Sequence, residues 1–190
     1  MFKKCLLSKL NVEYTSNKNA WMTSKIFEYW LQNINRIFKF ENRKILLILD
    51  NCPSHPNINL SNVKLQFLPL NTTSLIQPLD QGIIKNFKTK YRKRLIKNII
   101  SNINLGNVNY ISQITILDVF IWIKQCWEEE ASSTIVNCFS HAGFLFNEVD
   151  IEDKIDDNIM ELDELINDAK SAALVDVQVS AATYVTFDDD

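Results

Sequence analysis

An α/β fold, with an incomplete sheet flanked by helices and a helical extension at its carboxyl end, is what this sequence predicts. Three observations carry that reading. The aliphatic run KILLILD ends abruptly at Asp50. The alternating segment VKLQFLPL follows it about a dozen residues later, an interval just long enough for a short crossover between strands. Apolar residues at helical spacing lie on both sides of this pair.

Thr23 is the expected N-cap of the first helix, in MTSKIFEYWLQNINRIF, where Ile26, Trp30 and Ile34 repeat at helical spacing beside Phe27, Leu31 and Phe38. Five consecutive aliphatic residues, Ile45 to Leu49, predict a strand buried on both faces. NCPSHPN, with its prolines and asparagines, ends it. Val63 to Leu70 is the second strand, stopped by Pro69. After the turn-rich NTTSLIQP a long helix is expected from about Leu79 to Ile100, with Pro78 tolerated just before it. A loop at Asn102–Tyr110 leads to two more helical segments, ITILDVFIWIKQCWEEE and SSTIVNCFSHAGF. Ser132 or Ser133 is the cap candidate of the second, and Gly143 its stop. The four tryptophans, Trp21, Trp30, Trp122 and Trp127, fall in apolar segments and are expected in the core.

Composition divides the chain at residue 147. Up to Asn147 there are 18 Lys+Arg against 9 Asp+Glu, and from Glu148 onward 2 against 14. Two segments are therefore expected: a basic body, 1–147, and an acidic tail, 148–190, disordered or partly helical. A basic body suits a polyanionic partner, and the tail could shield it or solubilise the chain. Cys5, Cys52, Cys126 and Cys138 stand far apart with only two histidines in the chain, which argues for reduced thiols rather than a zinc site. No apolar run approaches the roughly 20 residues of a membrane-spanning helix. The amino-terminal MFKKCLLSKL lacks the apolar core of a secretion signal, so an intracellular protein without a membrane partner is expected.

The sharpest chemical feature is Asp50, where a strand's carboxyl end meets solvent or ligand. Alone it would serve equally well as a turn initiator. On a helix beginning near Leu79, however, Asp80 would share a face with Ile84, Phe87 and Tyr91, setting a second acid at the head of a core-facing stripe. An ordinary acid in a first helical turn is the plainer alternative. Two converging carboxylates repel unless a cation lies between them, and magnesium or manganese with oxygen ligands is the usual solution. Such ions activate a water or 3′-hydroxyl in phosphodiester chemistry.

KNFKTKYRKRLIK carries Lys85, Lys88, Lys90, Arg92, Lys93, Arg94 and Lys97 without an acid. A solvated helix face explains such a run in most proteins. Directly after Asp80, it is also a candidate phosphate-binding surface of low sequence selectivity. Asn51, His55, Gln81 and Asn71 could orient the acids or bond the scissile region, with a structural role as the alternative for His55.

The blocks WMTSKIFEYWL, KILLILDNCPSHP, LQFLPLNTTSLIQPLDQGIIKNFKTKYRKRL and, more weakly, IVNCFSHAGF resemble those of Tigger/pogo-type transposases, DDE superfamily endonucleases with Jerky and centromere protein B relatives. The resemblance covers most of residues 11–146. It implies a partial RNase H-like fold, a nuclear location, metal-dependent strand nicking and transfer on DNA, and three catalytic aspartates binding Mg²⁺ or Mn²⁺. Asp50 matches the second of these and Asp80 the third.

The family's first aspartate stands in a block resembling DETG, upstream of the WMT helix. Here no aspartate precedes Asp50, and the earlier acids, Glu13, Glu28 and Glu41, fall in a connector, a helix and a turn. The expectation is an amino-terminally truncated catalytic domain that binds metal weakly and does not cut DNA, retaining residual, nonspecific DNA affinity. Its incomplete sheet would favour a homo-oligomer or a protein partner that completes it. Two rivals stand beside this: a domesticated protein-interaction module, and an incomplete gene model of an active transposase.

Overall fold

The computed structural model describes residues 12–106, 114–144 and 154–171. They form a mixed α/β protein, mostly helical, with a two-stranded parallel sheet, consistent with a partial RNase H-like fold. The chain forms two compact units, Glu13–Gln81 and a second that takes in the described residues from Gly82 on. The expected junction of body and tail at 147/148 lies outside the described residues, as do residues 172–190.

In the first unit, helix α1 (Ser24–Phe40) begins where expected, with Thr23 Oγ1 accepting from the Ile26 N–H at 3.4 Å. It ends because Asn42 adopts φ 52°, a left-handed conformation that asparagine tolerates. The Arg43 N–H then reaches back to the Phe38 carbonyl at 2.9 Å and the Asn42 N–H to that of Lys39 at 3.1 Å. The turn aims the chain into β1 (Ile45–Leu49), which pairs in parallel with β2 (Val63–Phe67), Ile45 opposite Val63 and Leu49 opposite Phe67. Asn62 sets that register. Its backbone N–H takes Asn35 Oδ1 of α1, its Nδ2 donates to the Arg43 carbonyl, and its carbonyl accepts from Ile45.

Phe27, Leu31 and Leu49 are the buried centre, with Trp30, Leu47, Ile58, Leu60, Leu65 and Phe67 around them. Alternation along a strand puts Leu47 and Leu49 on one face and Leu46 and Ile48 on the other. Only the first face packs on α1. Leu46 is 54% exposed, which corrects the expectation of a strand buried on both sides. Trp21, at 79% exposed, is likewise outside the core, whereas Trp30 packs against Phe27 with ring centroids 5.4 Å apart.

A single turn of helix, α2 (Thr73–Ile76), precedes Pro78, and Leu79–Ile83 follow as a wide turn. Gly82 there has φ 143°, so the expected continuous helix from Leu79 is broken. Regular helix begins only at Ile84, as α3 (Ile84–Asn104), and absorbs the first residues of the expected Asn102–Tyr110 loop.

The second unit contains α3, α4 (Ile116–Glu128), α5 (Ser132–His141) and α6 (Lys154–Ser171). The buried positions of α3 are Asn86, Thr89, Arg92 and Lys93, so its inward face is polar rather than the predicted Ile84–Phe87–Tyr91 stripe, of which Ile84 is exposed. Burying polar groups is costly without partners. Here Asn86 Nδ2 donates to Glu130 Oε2 at 2.7 Å and Thr89 Oγ1 to the Lys85 carbonyl at 2.9 Å. Tyr91 meets Trp122 edge to face, while Trp127 is 53% exposed.

Thr115 and Asp118 form a reciprocal capping box at the start of α4. Ala131, rather than a serine, occupies the cap position of α5. Gly143, with φ 79°, closes α5 as expected, and the rings of Phe139 and Phe144 meet across that stop at 6.1 Å.

Candidate catalytic acids and basic helix

Asp50 is the first residue after β1, and its side chain is 29% exposed. One carboxylate oxygen, Oδ1, accepts the Cys52 N–H at 3.2 Å, the turn contact expected of an aspartate at a strand end. The same oxygen lies 2.6 Å from His55 Nδ1, close enough for charge pairing but without the alignment of a directional hydrogen bond. The His55 ring rests on Phe27 with centroids 4.4 Å apart, and its backbone N–H donates to the Cys52 carbonyl. Ser24, at the start of α1, donates from its hydroxyl to the Pro53 carbonyl at 3.1 Å. The loop carrying Asp50 is thus tied to α1 at two points.

Asn51 ties it to the sheet. Its Nδ2 donates to the Leu68 carbonyl at 2.5 Å, and the Leu68 N–H donates to the Leu49 carbonyl at 2.8 Å. These bonds continue the pairing of β1 and β2 one residue beyond their ends.

Asp80 lies in the wide turn after α2 and is exposed, its N–H bonded to the Gln77 carbonyl at 3.0 Å. The break at Gly82 separates it from the helical register, so its position comes from the Pro78–Gly82 turn and not from a shared helix face. Gln81 Nε2 donates to the Ser74 carbonyl at 2.9 Å and closes that turn on α2. Asn71 sits at φ 60° beside the Thr72 hydroxyl, which donates to the Pro69 carbonyl.

Aspartate oxygens are the hard donors that magnesium and manganese prefer. Two such acids do not complete a divalent site: among the described residues, no group of three His, Cys, Asp or Glu could hold a metal ion. The residues present therefore do not fit a resident metal by themselves.

The seven basic residues lie on α3, in the second unit. Lys85 is exposed and Lys88 half-buried. Lys90 Nζ lies 3.2 Å from Glu130, a carboxylate whose side chain is 1% exposed, and also donates to the Glu129 carbonyl. Arg94 pairs with Glu129, which raises the guanidinium pKa, and bonds Gln125 at 3.1 Å. Lys93 and Lys97 both pair with Glu161 of α6, and Arg92 is buried. Cys126 and Cys138 are buried free thiols, their pKa values pushed up by desolvation. These acid partners follow no short motif, since they stand 35 to 68 residues from their bases. Among the described residues, no helix is long and apolar enough to cross a membrane.

The profile of the DDE superfamily endonuclease family matches residues 1–139. Mouse "Tigger transposable element-derived protein 4" is 35% identical over 139 residues, covering 73% of this chain and 26% of that protein. Fission-yeast "CENP-B homolog protein 2" is 32% identical over 149 residues, covering 73% of this chain and 28% of the relative. The human "Jerky protein homolog" is 33% identical over 97 residues, 45% of this chain and 17% of its own length. The chain thus spans about a quarter of the first two relatives. No solved structure matches it. On these matches the chain belongs to the DDE superfamily of endonucleases, in its Tigger/pogo-type branch.

Proposed function

We propose that this chain carries the second and third acids of a transposase-derived DNA-cleaving site, Asp50 and Asp80, and that the 190 residues alone bind DNA without cutting it. What carries the reading is Asp50, held at the carboxyl end of β1 by Cys52, His55 and the Asn51 clamp, in a chain of this family. Within these 190 residues no aspartate precedes it, so this stretch by itself supplies two of the three acids that the family uses. Removing one carboxylate leaves the metal charge undercompensated and costs orders of magnitude in rate. DNA contact is assigned to α3, whose exposed and half-exposed cations Lys85 and Lys88 suit phosphates. Such a role is nuclear.

Two measurements on the purified chain check this. Supercoiled plasmid with Mg²⁺ or Mn²⁺ stays unnicked; nicking that is lost in Asp50→Ala would overturn the inactivity. Binding to random-sequence duplex weakens as salt rises, and neutralising Lys85 and Lys88 lowers the logarithmic salt slope by roughly one per lost contact. An unchanged slope would remove α3 from the interface.

A second reading, a protein-interaction module, is favoured by the exposed apolar side chains of the first unit, among them Trp21, Phe40, Leu70 and Leu75. It predicts concentration-dependent self-association or capture of a protein partner, unaffected by competing DNA. A monomer at all accessible concentrations with salt-sensitive DNA retention would favour the first reading.

A further inference from the structure

Helix α6 contributes six Asp and Glu against two Lys, and it packs on α3, which contributes seven Lys and Arg and no acid. The seam between them is apolar at its centre: Leu162 and Ile166 are buried against Ile96. Beside that seam stands Glu161, adjacent in sequence to Leu162. One of its oxygens takes Lys93 Nζ and the other takes Lys97 Nζ at 2.7 Å. Lys93 and Lys97 are four residues apart and so lie on one face of α3, one above the other. The two ammonium groups also hold the Glu161 carboxyl below its ordinary range.

A carboxylate whose two oxygens bridge two lysines one helical turn apart has the same bonding demand as the two non-bridging oxygens of a phosphodiester. We propose that Glu161 of α6 is a built-in phosphate mimic: it occupies the Lys93–Lys97 face of α3, and DNA gains that face only by displacing α6. This rests on the assignment of DNA contact to α3. Lys93 is 9% exposed with α6 in place, so a phosphate cannot reach it while the helix stays docked. The exchange is one anion for another on the same two cations, and ionic strength weakens both.

The full chain, Glu161→Gln and Glu164→Gln are titrated with random-sequence duplex DNA at fixed low salt. Both variants lose one charge from α6, but Glu164 is exposed and makes no ion pair among the described residues. Glu161→Gln is expected to bind about threefold tighter or better, and Glu164→Gln to match the parent. Equal gains in both variants would reduce the effect to general repulsion and overturn the bridging role. Hydrogen exchange on the unmutated chain gives a readout free of any folding defect: saturating duplex should speed amide exchange across α6. If DNA binds all three proteins alike and leaves α6 exchange unchanged, the mimic is overturned and the DNA assignment of α3 stands. If none binds duplex even at low salt, the DNA assignment fails and the mimic with it.

Discussion

His55 Nδ1 lies 2.6 Å from Asp50 Oδ1 while its ring rests 4.4 Å from that of Phe27, so one side chain links the acid at the end of β1 to helix α1. Removing the imidazole takes away both contacts. His55→Ala is expected to cost about 1 kcal/mol of stability, the size of a ring-on-ring contact, and to speed hydrogen exchange between Asp50 and His55. Chemical denaturation with exchange mapping checks it; an unchanged midpoint and unchanged exchange would show that the loop holds its shape without the histidine.

Asn51 makes a separate prediction, because its bond to the Leu68 carbonyl extends the pairing of two short strands. Asn51→Ala leaves that carbonyl without this donor and should cost about 1–2 kcal/mol. Asn51→Asp should cost at least as much, since a carboxylate cannot donate. An aspartate variant as stable as the parent would mean that the 2.5 Å contact contributes little.

Gly82 has φ 143° and is buried. A side chain there is strained, so Gly82→Ala should destabilise the chain by about 1–3 kcal/mol. Thermal unfolding measures this, and a neutral result would mean that the turn relaxes into continuous helix.

The same glycine marks where the sequence stopped being legible. Apolar periodicity and cap residues mark α1, both strands and the stop of α5, because each depends on contacts a few positions apart: the Ile26 N–H on Thr23 Oγ1, the Gly143 N–H on the Ser140 carbonyl. Periodicity carries no signal for a single backbone angle, so the sequence of Leu79–Ile83 reads as the first turn of α3, and Asp80 as a member of its inner face, where the structure has a break at Gly82. Polar burial on α3 was hidden for a different reason. Asn86, Lys90 and Lys93 find their acids in Glu130 and Glu161, and pairing over such separations is written in no local pattern. The position of Asp50 at a strand end and in a turn is legible because both are local, whereas the tie of its neighbour His55 to α1 requires the loop to fold back.

Acid should loosen the α3–α6 contact before it loosens the sheet. Lys93 and Lys97 donate to Glu161 and lower its pKa, so the folded chain binds that proton less readily than the unfolded one. The stabilisation is therefore fully present above the ordinary glutamate range and is lost as pH falls below it, through the depressed value in the folded protein. Asp118, lowered chiefly by its bond from the Thr115 hydroxyl, adds a loss of the same sign at the start of α4. Denaturation midpoints followed from pH 7 down to pH 3 should fall, and Glu161→Gln should flatten part of that fall while lowering stability at neutral pH. Amide exchange in α6 should rise over the same interval in the parent chain and start high in the variant. A variant with the parent's full acid dependence would mean that Glu161 is not the group whose protonation releases α6.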